Sequence, residues 1–177
     1  CEVSGYASDI TRTFPVNGRF SAAQRDLYEI TLAAQLAAID AAKPGAAFHA
    51  PHDAALRVLV QGMIALGLCQ GSVDGIIESG DYRRYYMHRT SHWLGLDVHD
   101  AGPYHEDNEW VRLQTGMTLT IEPGFYVRAA DDIPAGLHDI GIRIEDDIVI
   151  TEQGCRVMTE AAPKTVTAIE QWMAATT

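Results

Sequence analysis

Three histidines, His88, His92 and His99, fall inside the stretch MHRTSHWLGLDVHD. Imidazole is the commonest metal ligand and titrates near neutral pH. Clustered beside aspartates, it points to metal binding or proton transfer. The plainer alternative is a set of surface or hydrogen-bonded histidines. Carboxylates elsewhere offer partners. Asp9 precedes a run rich in β-branched residues and reads either as a ligand or as a turn aspartate. Glu122 stands where an apolar strand meets Pro123-Gly124, a place suited equally to a ligand and to a surface turn. Glu145 follows Arg143 by two residues, which puts both on one strand face, in a site or in a surface ion pair of little energetic weight. Taken with His92, these residues form an oxygen-rich set with one nitrogen. Such a set suits Mn²⁺, Co²⁺, Fe²⁺ or Zn²⁺ better than a Cys-rich structural zinc site would. Bridging carboxylates can hold two metals about 3.5–4 Å apart and so activate water and polarise a carbonyl.

Other chemistries fit less well. His88 and His92 have the spacing of HExxH, but Arg89 stands where that motif needs its glutamate. Ser91 lacks a GxSxG elbow, and neither GxGxxG nor a P-loop occurs. Tyr85, Tyr86 and Trp93 read as core or cleft wall rather than as a base-stacking platform, given the acidic charge.

A framework must bring these residues together. Val3–Val16 leans toward β structure, with Pro15 at an edge or strand end and Asn17-Gly18 at a turn. Ser21 and Gln24 form a capping box for a helix. Its apolar residues Leu27, Ile30, Ala34 and Ala38 recur at helical spacing until Lys43-Pro44-Gly45 stops it. A second helix is expected from His52 to Leu66 on a stripe of Leu56, Leu59, Val60 and Met63, with Gly67 ending it. Short helices are expected over Val73–Glu78 and Pro163–Met173. From Tyr85 onward the pattern is mainly β. Thr118–Ile121 reads as a strand, and Ile140–Ile150 predicts a hairpin turning at Asp146-Asp147. The order predicts an α+β fold, helices packed on a curved, mainly antiparallel sheet. On one regular strand His92 and His99 would face opposite sides, so a shared cleft requires a bend, expected at Gly95.

Composition agrees with a single globular domain: 177 residues, 47% apolar and 21% charged. Thirteen basic against twenty-four acidic residues give a net charge of −11, which argues against nucleic acid or an anionic membrane as partner. Cys1, Cys69 and Cys155 are widely spaced and read as free thiols of a reducing compartment. No apolar run reaches the length of a membrane span, and no signal-peptide pattern is seen. The chain begins at Cys1, directly in strand-like sequence, and is expected to be part of a longer protein.

Four motifs occur in one order: YASDITRTFPVNG (Tyr6–Gly18), MHRTSHWLGLDVHD (Met87–Asp100), TIEPGFY (Thr120–Tyr126) and GIRIEDDIVIT (Gly141–Thr151). Over essentially the whole chain they resemble the catalytic domain of the bacterial aminopeptidase P family, Xaa-Pro aminopeptidases of the pita-bread metallopeptidase fold. The resemblance implies that residues 1–177 are the C-terminal portion of such a catalytic domain, a partial pita-bread fold, with the N-terminal domain and the start of the catalytic domain absent. It implies two metal ions bridged by Asp9 and Glu145, with His92 as a ligand and Glu122 as both ligand and general base. His88 and His99 would line the cleft, and Arg143 and Tyr126 would orient ligands and water. The usual ion is Mn²⁺, with Co²⁺ or Zn²⁺ as alternatives. The resemblance implies a peptide substrate with proline second, cut before the proline, and a cytoplasmic enzyme; a homo-oligomer is expected. An Xaa-Pro dipeptidase (prolidase) and a catalytically silent pita-bread binding module remain open alternatives. Two departures matter. A further aspartate ligand and a cleft histidine of the family fall upstream of Cys1, which leaves metal occupancy and activity of this chain open. The exposed half-sheet is then expected to self-associate or to retain a partner segment. Arg89 replaces a small glycine; it is expected to point outward, the alternative being contact with His88 or a substrate carboxylate.

Overall fold

The structure, a computed structural model, describes residues 1–176. Helix α1 (Ala22–Ala41) begins as the capping box dictates: Ser21 Oγ accepts the Gln24 N–H, and Gln24 Oε1 accepts the Ser21 N–H. It stops just before Pro44, whose ring cannot continue a helix. Leu27, Tyr28, Ala34 and Ala38 on its inner face are fully buried. Helix α2 (Ala50–Ala65) starts earlier than the apolar stripe implies, because Pro51 fits the first turn, where its missing N–H is not needed. Gly67, at φ +72°, ends it in the left-handed region. Helices α3 (Val73–Ser79) and α4 (Val166–Thr176) complete the set. Helices α1 and α2 pack against each other, and α1 lies across the sheet.

The strands are β1 (Glu2–Val3), β2 (Tyr6–Ala7), β3 (His105–Glu106), β4 (Glu109–Trp110), β5 (Thr118–Ile121), β6 (Gly124–Val127), β7 (Ile140–Arg143), β8 (Asp146–Ile150) and β9 (Cys155–Val157). All pairings are antiparallel: β1 with β2, β3 with β4, β5 with β8, β8 with β9, and β6 with β7. Strands β5 and β6 run on into each other, as do β7 and β8, so the two pairs form one bent ribbon. Its ladder breaks where Glu122-Pro123 faces Ile144-Glu145. Pro123 has no N–H to give the ladder, which fixes the break at that place. The segment Thr90–Leu94 flanks β5: the Glu122 N–H bonds the Thr90 carbonyl at 2.8 Å, and the Thr120 N–H bonds the His92 carbonyl at 3.1 Å. On the far side Thr11 bridges Glu145. The architecture is α+β.

Two expectations fail. Asp146 and Asp147 do not turn a hairpin; both lie inside β8, at 0% and 2% exposure, and β7 and β8 pair with different partners. Distant cations and hydroxyls satisfy Asp146, so a charged pair that looks like a turn belongs to a strand. The region Tyr85–Met117 is mostly irregular apart from the β3–β4 hairpin. Beyond the Thr90–Leu94 segment that flanks β5, its backbone bonds largely within the region, as from the Asp100 N–H to the Trp93 carbonyl at 3.1 Å.

Candidate metal centre

The ribbon break gathers the carboxylates. Ile121 and Ile144 are fully buried, so the neighbouring Glu122 and Glu145 turn toward the opposite face of the sheet. His92 enters from the flanking segment. Its backbone N–H is held by Thr120 Oγ1 at 3.2 Å, and its Nδ1 lies 3.0 Å from the Trp93 carbonyl. That contact fixes the tautomer with the proton on Nδ1 and leaves the Nε2 lone pair free for a ligand role. Nε2 lies 3.4 Å from Glu122 Oε1 and 3.6 Å from Asp9 Oδ2. Ligand atoms of His92, Glu122 and Glu145 all fall within 4.8 Å of one another, and those of Asp9, His92 and His99 do the same. His92 belongs to both groups.

The supporting contacts are specific. The Asp9 N–H donates to Asp147 Oδ2 at 3.1 Å. Glu145, only 1% exposed, accepts a hydrogen bond from the Thr11 hydroxyl, and Arg143 Nε donates to that same hydroxyl oxygen at 3.2 Å. His99 stands edge-on to His92, with ring centroids 4.3 Å apart. The chain bends between the two histidines at Gly95, where a Cβ would fall 2.0 Å from Asp100 Oδ2. Tyr126 OH lies 2.8 Å from His88 Nε2, and His88 Nδ1 lies 2.8 Å from the Arg89 carbonyl. Nδ1 therefore carries the proton and Tyr126 donates to Nε2. Gly124 makes room for this: a Cβ there would lie 2.2 Å from the Tyr126 hydroxyl oxygen.

The carboxylates crowd one another. Burial first, then the charges of Glu145 and Asp9, lift Glu122 from 4.5 to about 7, against the pull of Arg143. Burial raises Glu145 as well, although the Thr11 bond opposes it. Burial, with Glu145 and Asp9 nearby, lifts Asp147 to about 6. Buried acids that hold protons this tightly are under-compensated by the cations around them. A divalent ion supplies the missing charge, and oxygen donors with one imidazole are the ligands such ions take. The residues fit a metal. An expected consequence follows from the sign of the shifts. The metal-free chain keeps protons on raised acids at pH 6, and a bound cation displaces them. Adding Mn²⁺ in weak buffer is expected to release more protons at pH 6 than at pH 8, and less from Glu122→Gln; calorimetry in buffers of different ionisation enthalpy reads this directly.

Sequence reasoning missed a buried relay behind the histidines. Thr90 is fully buried, and its Oγ1 lies 2.9 Å from His52 Nδ1 and also bonds the Tyr86 hydroxyl. His52 stacks on Tyr86, with centroids 5.6 Å apart. Burial, then the charge of Arg89, lowers His52 to about 4, so it stays neutral. The available signal was spacing: Thr90 lies two residues before His92, on the same face of an extended segment. Thr90→Val strands both partners and is expected to destabilise the fold by about 1–3 kcal/mol in thermal melts. Arg89 is exposed, but it folds back with its guanidinium 5.4 Å from the Trp110 ring centroid rather than simply pointing outward. Asp147 was also missed, read only as part of a turn.

Comparison with known proteins agrees with this geometry. The description of metallopeptidase family M24 matches residues 1–152. The Xaa-Pro aminopeptidase of Haemophilus influenzae is 47% identical over 173 residues, 98% of this chain and 40% of that protein. That of Escherichia coli is 45% identical over 175 residues, 99% of this chain and 40% of that protein. Among solved structures, the Pseudomonas aeruginosa aminopeptidase PepP superposes with a TM-score of 0.97 at 49% identity, covering 99% of this chain and 40% of that one. Zn-substituted E. coli aminopeptidase P in complex with product gives a TM-score of 0.92 at 44% identity, covering 98% of this chain and 39% of that one. The chain thus spans about 40% of the length of the curated relatives named here. The bent ribbon with helices on one face is part of a pita-bread fold, and the chain belongs to metallopeptidase family M24.

Proposed function

We propose that this chain is the metal-bearing part of an aminopeptidase that releases the first residue from peptides with proline in second position. The observation that carries the reading is the meeting of His92, Glu122 and Glu145 ligand atoms within 4.8 Å, with Asp9 Oδ2 3.6 Å from His92 Nε2. Relatives named Xaa-Pro aminopeptidases at 45–47% identity support the substrate class. Asp9, His92, Glu122 and Glu145 would hold the metal, Mn²⁺ in this reading. A bound cation of this kind acidifies water and polarises a carbonyl.

The chain's own residues do the rest. Glu122 accepts a proton from the attacking water and passes it to the departing proline nitrogen. The His88–Tyr126 pair and His99 hold the substrate on the cleft side of the ribbon. Arg143 steadies Thr11, and through it Glu145. An Xaa-Pro bond is a tertiary amide without an N–H, so a site built on cation, carboxylate and imidazole loses nothing by its absence.

Free Cys1, Cys69 and Cys155 support a reducing, cytoplasmic setting, and no described helix is long and apolar enough to cross a membrane. Val3, Tyr6 and Leu96 are more than 60% exposed, which supports self-association; light scattering on the isolated chain is expected to show a dimer or larger, and a monodisperse monomer overturns that point. The functional test is hydrolysis of Xaa-Pro-Zaa peptides by the Mn²⁺-loaded complete encoded protein. Release of free Xaa is expected, with none from a matched peptide carrying alanine in place of proline. Cleavage of both alike removes the proline reading.

A further inference from the structure

Beside the metal centre lies a cavity of about 460 Å³ that shares His92 as a wall. Phe48, Tyr104 and Trp110 make it largely apolar, with His49, His105 and Arg89 around them. Trp110 organises this wall. His49 stacks on it with centroids 4.9 Å apart, His105 lies 3.9 Å away, and the Arg89 guanidinium sits over the ring at 5.4 Å. The β3–β4 hairpin that carries Trp110 is pinned at its base by the Phe48 N–H to the Val111 carbonyl at 2.8 Å. The wall is therefore fixed rather than floppy.

Two buried polar atoms in this wall have no hydrogen-bond partner: Ser91 Oγ and His49 Nδ1. Ser91 is 9% exposed. His49 Nε2 lies 3.1 Å from Asp53 Oδ2, which places the proton there and leaves Nδ1 as an acceptor. Both atoms lie within the wall, beneath its aromatic lining, and do not open onto the cavity. No Asp or Glu lines the cavity among the described residues, although the chain carries a net charge of −11. A carboxylate meets no repulsion from these walls and finds a guanidinium at the mouth.

We propose that this cavity is the subsite for the residue that follows the proline. It favours a bulky apolar side chain there, and Arg89 takes the free carboxylate when that residue is the last. The assignment rests on the aminopeptidase reading. In that reading one residue precedes the scissile bond and the remainder of the peptide leaves past His88, whose Nδ1 is bonded to the carbonyl of Arg89 itself. A guanidinium stacked on an aromatic ring keeps its in-plane N–H groups free for a carboxylate.

The test compares kcat/KM of the Mn²⁺-loaded complete encoded protein on Xaa-Pro-Phe, Xaa-Pro-Gly and the C-terminal amide of Xaa-Pro-Phe. A preference for phenylalanine over glycine of about tenfold or more is expected, as apolar pockets give. Trp110→Ala is expected to shrink that ratio toward one, and His105→Ala, on an exposed hairpin and safe for folding, to shrink it partly. Arg89→Gly is expected to reduce the preference for free acid over amide while the phenylalanine-to-glycine ratio holds. Unchanged ratios in all variants overturn the subsite. If no Xaa-Pro peptide is cleaved at all, the aminopeptidase reading fails instead. Calorimetric binding of Pro-Phe against Pro-Gly to the same variants then decides the cavity separately: loss of the difference in Trp110→Ala supports it, and equal binding everywhere overturns it.

Discussion

Glu122→Gln is expected to lower turnover of an Xaa-Pro peptide by roughly 10²–10⁴-fold, the range a positioned general base contributes, while leaving the fold intact. The amide keeps the shape of the carboxylate and one oxygen for a cation, but it cannot accept a proton from water. Glu122 is placed for this work. It sits at the ribbon break, its backbone N–H is tied to Thr90, and its Oε1 lies 3.4 Å from His92 Nε2. Its carboxyl, lifted to about 7 by burial and by Glu145 and Asp9, also feels the crowding most. The substitution removes one of these competing charges, so melting of the metal-free chain is expected to stay level or rise. Bound metal, measured by elemental analysis, is expected to fall less than turnover, since Asp9, His92 and Glu145 remain. A parallel loss of turnover and folded protein would make Glu122 structural. Full turnover with metal still bound would move the base elsewhere.

The sequence made part of this site legible, for identifiable reasons. The capping box at Ser21 and Gln24 is a local device, satisfied within one turn of helix, and α1 begins where it says. The bend at Gly95 was also accessible, because alternation forbids His92 and His99 from sharing a face on a straight strand. Long-range compensation was not. Asp146-Asp147 reads as a turn because two adjacent acids are costly to bury. The cations that make the burial of Asp146 tolerable, Arg12 and Lys164, lie 134 and 18 residues away, and Asp147 meets the Asp9 N–H from the other end of the chain. The spacing of Thr90 and His92 puts Thr90 on the site's face, but His52, which its hydroxyl meets 38 residues away, is announced by no local rule. Arg89 was likewise undecidable without Trp110, which the sequence places 21 residues later. Short-range chemistry and periodicity were readable, whereas contacts that depend on how the bent ribbon folds were not.

Asp146→Ala is expected to be the most destabilising single change outside the site, by about 3–5 kcal/mol, the range for removing one partner of a buried ion pair. Asp146 is fully buried, and its carboxylate accepts from Arg12 at 2.7 Å, Lys164 at 2.8 Å, Gln35 at 2.7 Å and Thr159 at 2.7 Å. Burial alone would raise its pKa. The bonds from Lys164, Arg12, Thr159 and Gln35 outweigh burial and hold it below the ordinary carboxylate range. Alanine would take their shared carboxylate from two cations and an acceptor from a buried amide, leaving Arg12 on backbone carbonyls and Lys164 on Gln35. Domains of this size are stable by only about 5–15 kcal/mol, so the change consumes a large share of the total. Asp146→Asn, which keeps the shape and part of the hydrogen bonding, is expected to lose less. The effect should also reach the metal centre. Arg12 Nη1 donates to the Glu145 carbonyl at 2.6 Å and the Thr11 carbonyl at 3.0 Å, so it clamps the segment that carries Asp9 to the strand junction that carries Glu145. Without that carboxylate Arg12 keeps its bonds to backbone carbonyls but loses its ionic anchor, which loosens the register of the two carboxylates. Mn²⁺ affinity is therefore expected to fall in Asp146→Ala even under conditions where the protein is fully folded. Urea unfolding of the two variants, with metal titration below the transition, separates these effects. A loss of under about 1 kcal/mol would mean that water replaces the carboxylate and that the cluster is not the clamp the geometry describes.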